Sequence, residues 1–142
     1  MKATDLMIGD WVNVVVQWKP EIKYMYGEVS ELLALDGCLK VRQSYDPYHD
    51  NEIYCICDTE PIPLTPEILE KNYGKETRVG ISDKPCWGEM GAIWSTMLWK
   101  CENSFWLEVS TIAGGFVKKH VRYVHELQHA LRLCGIEKEI VL

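Results

Sequence analysis

The 142-residue sequence predicts an α+β fold: an N-terminal SH3-like small β-barrel over residues 1–62, then a β-hairpin or sheet with a packed C-terminal helix over residues 63–142. Three observations predict it. Residues 1–62 alternate β-branched and aromatic runs with turn signals. Residues 60–65, EPIPLT, carry two prolines that disfavour helix before them and mark an extended connector. Residues 122–134 repeat apolar side chains at helical spacing. The two halves form separate domains or one compact unit.

In the first half, WVNVVVQW (11–18) reads as a strand, and Lys19-Pro20-Glu21 breaks it. YMYGEVSELLAL (24–35) reads as a long strand with Gly27 as a bulge or bend. Asp36-Gly37 is a strong hairpin signal, and CLKVRQSY (38–45) returns from it. DPYHDN (46–51) is a polar loop before a fourth strand, EIYCIC (52–57). Four or five short strands in about sixty residues suggest the small barrel.

In the second half, Thr65 is an N-cap, Pro66 suits the first helical position, and PEILEKNYG (66–74) is a short helix closed by Asn72 or Gly74. Residues 75–91, rich in Gly and Pro, have no regular pattern. AIWSTMLWKCE (92–102) and FWLEVST (105–111) are strands joined at Asn103-Ser104. FVKKHV (116–121) follows the Ala113-Gly114-Gly115 turn as a third strand. A helix spans about 122–134, Gly135 ends it, and EKEIVL (137–142) could add an edge strand. There is no internal repeat and no low-complexity tract.

Composition narrows the function classes. Hydrophobic residues make up 47% of the chain, enough for a packed interior, yet no apolar run approaches the ~18 residues that cross a bilayer. The start, MKATDLMIGDW, has neither the apolar region nor the small-residue cleavage site of a signal peptide, so a cytoplasmic protein is expected. The six cysteines form no CxxC pair and read as buried thiols in a reducing compartment. Cys55 and Cys57 share one strand face, but a metal site there needs two more ligands. The net charge of −6 is uneven: residues 1–64 hold 5 basic against 11 acidic residues, and residues 65–142 hold 10 against 10. An acidic first half repels phosphate backbones and disfavours nucleic acid as a partner.

The stretch HELQH, residues 125–129, fits the H-E-x-x-H spacing of zinc hydrolases. Histidines four apart lie on one helical face and can share a tetrahedral metal, while the glutamate activates the bound water. That makes His125 and His129 candidate zinc ligands and Glu126 a candidate catalytic base. The context opposes it. At about 100° per residue, Tyr123, Val124, Leu127, Ala130, Leu131 and Cys134 form the core stripe, which turns both histidines outward on the polar face. Arg122 and Arg132, three residues from the histidines, would repel a dication. The position six after His129 is Gly135 rather than a third histidine, leaving only His49 or His120 upstream. The expected reading is therefore no metal, no cofactor and no catalytic residue, with a minimal zinc hydrolase as the alternative.

DLMIGDWV (5–12), EPIPLTPEILEK (60–71) and VRYVHELQHALRLCGIE (121–137) together resemble a family of small proteins from gut Bacteroidetes and their phages and mobile elements. Its members open with an "IGnyV"-like phrase, carry "PIPLTeewL" in the middle and end in a "YVHeLQnLyfaLtG" helix. The resemblance spans most of the chain, although residues 75–110 depart from it. It implies an SH3-like N-terminal portion, no established enzyme activity and no cofactor. Family members usually have asparagine where this chain has His129, which makes the second metal-type histidine a single substitution.

Three further features bear on partners. Gly27-Glu28-Val29 is similar to the turn of KOW-type barrels, which bind RNA or ribosomal proteins, but the acidic balance of residues 1–64 favours an ordinary β-bend. Lys118, Lys119, His120 and Arg122 form the one basic patch, readable as an interaction surface or as a solvated strand edge. Of the six tryptophans, Trp94, Trp99 and Trp106 lie on predicted strands, whereas Trp87 lies in an unpatterned Pro-Cys-Trp-Gly stretch and is the expected exposed contact. No G-x-G-x-x-G, P-loop or nucleophile elbow is present. The sequence therefore points to a non-enzymatic protein-interaction module contacting an unidentified protein partner through Trp87, Lys118, Lys119 and Arg122, with an RNA- or ribosome-associated barrel as a further alternative.

Overall fold

Two antiparallel sheets and two helices make up the structure, a computed structural model that describes residues 6–17, 23–33, 38–43, 52–55, 59–78 and 84–142. The chain divides into two compact units, Met1–Ile62 and Pro63–Leu142.

The first unit holds β1 (Trp11–Gln17), β2 (Lys23–Leu33), β3 (Cys38–Gln43), β4 (Glu52–Cys55) and β5 (Thr59–Pro61) in the order β4-β3-β2-β1-β5. Every neighbouring pair is antiparallel. Among the described residues no pairing closes this sheet into a barrel. Strand alternation sends Val12, Val14, Val29 and Val41 to one side, where Leu6 and Met25 join them in a core. Gly27 is not a bulge: it pairs in regular register with both Val12 and Gln43, and the irregularity comes later, between Val29 and Glu31. A glycine is needed there because a Cβ would collide with the Val41 side chain of the neighbouring strand. The start of the proline connector is also a strand, with Pro61 opposite Val12. Proline is tolerated because β5 lies at the sheet edge. The Asp36-Gly37 turn and the DPYHDN loop lie outside the described residues.

The IGD stretch ahead of β1 is a tight turn. The Asp10 carboxylate accepts the Met7 N–H at 2.7 Å, and the Gly9 N–H bonds the Val29 carbonyl at 2.6 Å. Gly9 sits at φ 85°, a conformation that side chains with a Cβ resist.

The second unit runs α1 (Pro66–Tyr73), β6 (Thr77–Arg78), β7 (Pro85–Met90), β8 (Trp94–Lys100), β9 (Phe105–Thr111), β10 (Phe116–Val121) and α2 (Val124–Leu133). Its sheet is a meander in the order β10-β9-β8-β7-β6. Thr65 caps α1, its hydroxyl oxygen accepting the Ile68 N–H at 3.4 Å, with Pro66 at the first helical turn and Gly74 at the end at φ 80°. The interval without a sequence pattern contains β6 and β7. Pro85 and Gly88 look like loop punctuation, yet Pro85 opens the strand and Gly88 sits where a Cβ would strike the Thr96 carbonyl and Met97 of β8.

The helices divide the second sheet into two unlike faces. Trp87, Thr96, Leu98, Phe105, Leu107, Val109 and Val121 are buried on one face. Helix α2 packs against β9 and β10, and α1 against β7. Residues 137–142 do not add a strand. They form an irregular tail that buries Ile140, while the Asn72 side chain bonds both the N–H and the carbonyl of Val141, at 2.9 and 2.8 Å. Lys138 ties this tail to the sheet through Glu89 at 2.6 Å and lies 4.7 Å over the Tyr73 ring. No helix among the described residues is long and apolar enough to cross a membrane.

Candidate functional site

The HELQH stretch is placed differently from its helical-wheel expectation. The wheel turns both histidines to water; in the structure His125 is 6% exposed and His129 is half-buried. The buried set of α2 is Val124, His125, Leu127, Gln128, Ala130 and Leu131, an arc of about 220° at 100° per residue, wider than an apolar stripe alone predicts. The His125 ring stacks on Tyr123 with 5.8 Å between centroids and an angle of 6°, and meets His129 edge-on at 5.8 Å. His125 is thus a core histidine packed between aromatic neighbours.

Glu126 has a structural task. Its Oε2 accepts the backbone N–H of Arg122 at 2.6 Å and of Tyr123 at 3.2 Å, in the manner of a capping-box glutamate. The carboxylate that would activate a metal-bound water is drawn instead to the amides that open the helix. Among the described residues no group of three or more His, Cys, Asp or Glu is arranged to hold a metal. His120 is engaged on β10, where its Nδ1 lies 3.1 Å from the Ser104 hydroxyl. His49 and Cys57 lie outside the described residues. Among the described residues this donor set falls short of the three protein ligands a zinc hydrolase uses.

Trp87 is not an exposed contact. It lies within β7, is 1% exposed, and meets Phe105 edge-on at 5.8 Å. The basic patch is also divided by the strand. Because side chains alternate along β10, Lys118 and His120 leave one face and Lys119 the other. Lys118 pairs with Glu108 at 3.0 Å and lies 5.1 Å over the Phe116 ring. Arg122 is exposed, one residue beyond the end of β10.

What the structure brings together is an aromatic row on the sheet face opposite Trp87 and Leu98. Trp99 faces Trp106 across β8 and β9, and Trp106 faces His120 across β9 and β10. Cross-strand partners emerge side by side on one face. Trp106 Nε1 donates to Glu108 Oε1 at 3.1 Å, and its ring meets His120 edge-on at 4.9 Å. Burial pushes the Glu108 carboxyl up, but hydrogen bonds from Lys118 and Trp106 outweigh it and leave the group below its usual range, so it is ionised near neutral pH. Lys84, Trp99, Cys101, Trp106, Glu108 and His120 line an open groove of about 480 Å³.

A second feature lies at the opposite end of the same sheet. Met90 is 85% exposed and Ile112 79%, and Ile93, Phe116 and Leu133 are also more than half exposed. Ile93 and Ile112 are joined by a 2.8 Å backbone hydrogen bond. With Trp94, Cys134 and Ile136 they border an apolar cleft of about 300 Å³.

No protein-family model matches the chain, and no curated protein or solved structure matches it.

Proposed function

We propose that the protein is a non-enzymatic protein-interaction module, and that its contact is the apolar end of the second sheet rather than Trp87. The observation that carries this reading is the exposure of Ile93 and Ile112, 65% and 79%, at the rim of an apolar cleft, with Met90, Phe116 and Leu133 also exposed in the same unit. Side chains of this size cost free energy in water, and exposed ones at the rim of an apolar cleft mark a contact surface. The partner this chemistry fits is a protein presenting an apolar side chain to the cleft between Ile93 and Ile136. The engagement of Glu126 in the helix cap supports a role without catalysis.

The SH3-like reading of the first unit belongs to the same proposal. It is supported by the five-strand order, in which the fifth strand returns antiparallel onto the first, and by the irregularity within the long second strand. The resemblance to the gut Bacteroidetes and phage family agrees with it but assigns no partner.

The test is affinity capture with the full chain, comparing wild type with Ile112→Ser and Phe116→Ser. Both positions are exposed, so the fold should survive, and circular dichroism checks this. A partner held by the wild type and lost by both variants is expected; every partner retained would remove this surface. Metal analysis of untagged protein is the second arm: stoichiometric zinc that disappears in His129→Asn would overturn the non-enzymatic reading.

A further inference from the structure

We infer that the groove on the sheet face opposite Trp87 and Leu98 binds a neutral carbohydrate ring, stacked on Trp99 and Trp106. This site lies at the other end of the sheet from the apolar surface proposed above and does not depend on it.

The first ground is position. Tryptophans on a two-faced sheet normally serve the core, as Trp87 does. Here Leu98 and Leu107, adjacent in sequence to Trp99 and Trp106, fill the core face completely. Alternation then leaves the two indoles half-buried on the opposite face, next to the fully buried Cys86. The pair sits beside the tight turn Cys101–Ser104, closed by a 2.9 Å bond from the Cys101 N–H to the Ser104 carbonyl, which holds the two strands in register.

The second ground is preorganisation. The Trp106 ring is fixed by its hydrogen bond to Glu108 at 3.1 Å and its edge contact with His120 at 4.9 Å. The His120 ring is in turn oriented by the Ser104 hydroxyl, 3.1 Å from Nδ1. A surface whose aromatic rings are already held loses little freedom when a flat ligand settles on it.

The third ground is charge. Among the described residues the lining carries one basic side chain, Lys84, and one acidic, Glu108. Glu108 is already bonded to Lys118 at 3.0 Å. An anion would meet the carboxylate, and a cation would meet a carboxylate already satisfied. Trp99 and Trp106 are cross-strand neighbours side by side on one face, an arrangement unlike the enclosing cage that favours quaternary ammonium groups. An occupant with no net charge, one apolar flat face and a polar rim meets none of these penalties. A pyranose ring has that form: its axial C–H bonds point at the indole faces, and its equatorial hydroxyls reach Glu108, His120 and Lys84 at the margin. The groove, at about 480 Å³, lies within the ordinary range of small-ligand sites. A proline-rich peptide is a poorer fit at Trp106, whose indole N–H is committed to Glu108 rather than to a peptide carbonyl.

The experiment titrates the full chain with neutral soluble oligosaccharides, cellohexaose, maltohexaose, xylohexaose and chitohexaose, following tryptophan fluorescence and calorimetric heat. Choline, a proline-rich decapeptide and a short oligothymidylate are the competing probes. Saturable binding of at least one oligosaccharide is expected, weakened about tenfold in Trp106→Ala and in Trp99→Ala. Two tryptophan variants are used so that one folded variant suffices, and Ile112→Ser should bind as wild type does. No oligosaccharide bound at millimolar concentration overturns the inference. Binding unchanged in both tryptophan variants, or saturation of the groove by one of the competing probes instead, overturns it equally.

Discussion

At the scale of single residues, the same residue type takes opposite roles according to the strand face it occupies. Trp87 and Trp106 are both strand tryptophans; one is 1% exposed and the other lies half-open in the groove. Trp87→Ala should cost about 3–5 kcal/mol in urea denaturation through the cavity it leaves, whereas Trp106→Ala should stay within about 1 kcal/mol. Glu126→Ala should lower stability by about 0.5–2 kcal/mol, the usual cost of an emptied cap; an unchanged melt would show that the carboxylate is not holding the helix start. Tyr73 gives a pH dependence. Its hydroxyl is buried and, among the described residues, has no hydrogen-bond partner. Desolvation, and then the neighbouring Glu89 charge, push its pKa well above the usual tyrosine range. The folded state therefore holds the proton longer than the unfolded chain. This contribution is fully present below about pH 10 and is lost as the pH climbs towards the folded value. Tyr73→Phe should flatten the alkaline limb of the stability curve and cost little at neutral pH; an alkaline limb unchanged by this substitution would sink the assignment.

At the scale of elements, strands and helices are held mainly by local punctuation, which is why much of the element order is legible in the sequence. The Thr65 cap, Pro66, the hairpin at Asn103-Ser104 and the terminal glycine Gly135 all occupy the positions their chemistry predicts. The three stretches that carry the family resemblance are of this kind: Gly9 and Asp10 shape a turn, Thr65 and Leu69 cap and anchor α1, and Glu126 caps α2. The misreadings share one cause. Pro85 and Gly88 were punctuation in the wrong place, because the close approach of β8 to β7 demands a glycine in mid-strand. The tail from residue 137 has strand-like composition but, among the described residues, pairs with neither edge strand of the sheet. Its backbone is instead bonded by the Asn72 side chain. Asn72→Ala should therefore loosen the tail before the rest of the unit, read as faster amide exchange at Val141 and a loss of about 1–2 kcal/mol.

At the scale of the whole molecule, charge and core are both divided. The acidic excess lies entirely in residues 1–64. The second unit owns its own core, built from the inner face of its sheet, α2 and Ile140. Residues 63–142 expressed alone should melt cooperatively and keep the near-ultraviolet signal of their tryptophans; a non-cooperative melt would show that this unit needs the first.

The sequence by itself determined the α+β class, the order of most strands, both helices and the α1 caps, because each follows from periodicity and turn chemistry acting over a few residues. It also placed Trp99 and Trp106 on facing strands. Only the tertiary structure decided which side of each element met the core. It sent His125 inward, hid Trp87, split Lys118 from Lys119, bound Glu126 to a helix start and left Trp99, Trp106 and His120 in one open row. The physical reason is that a residue's face is relative: alternation and helical pitch fix which side chains travel together, but only the packing of distant elements fixes which of those sets is covered.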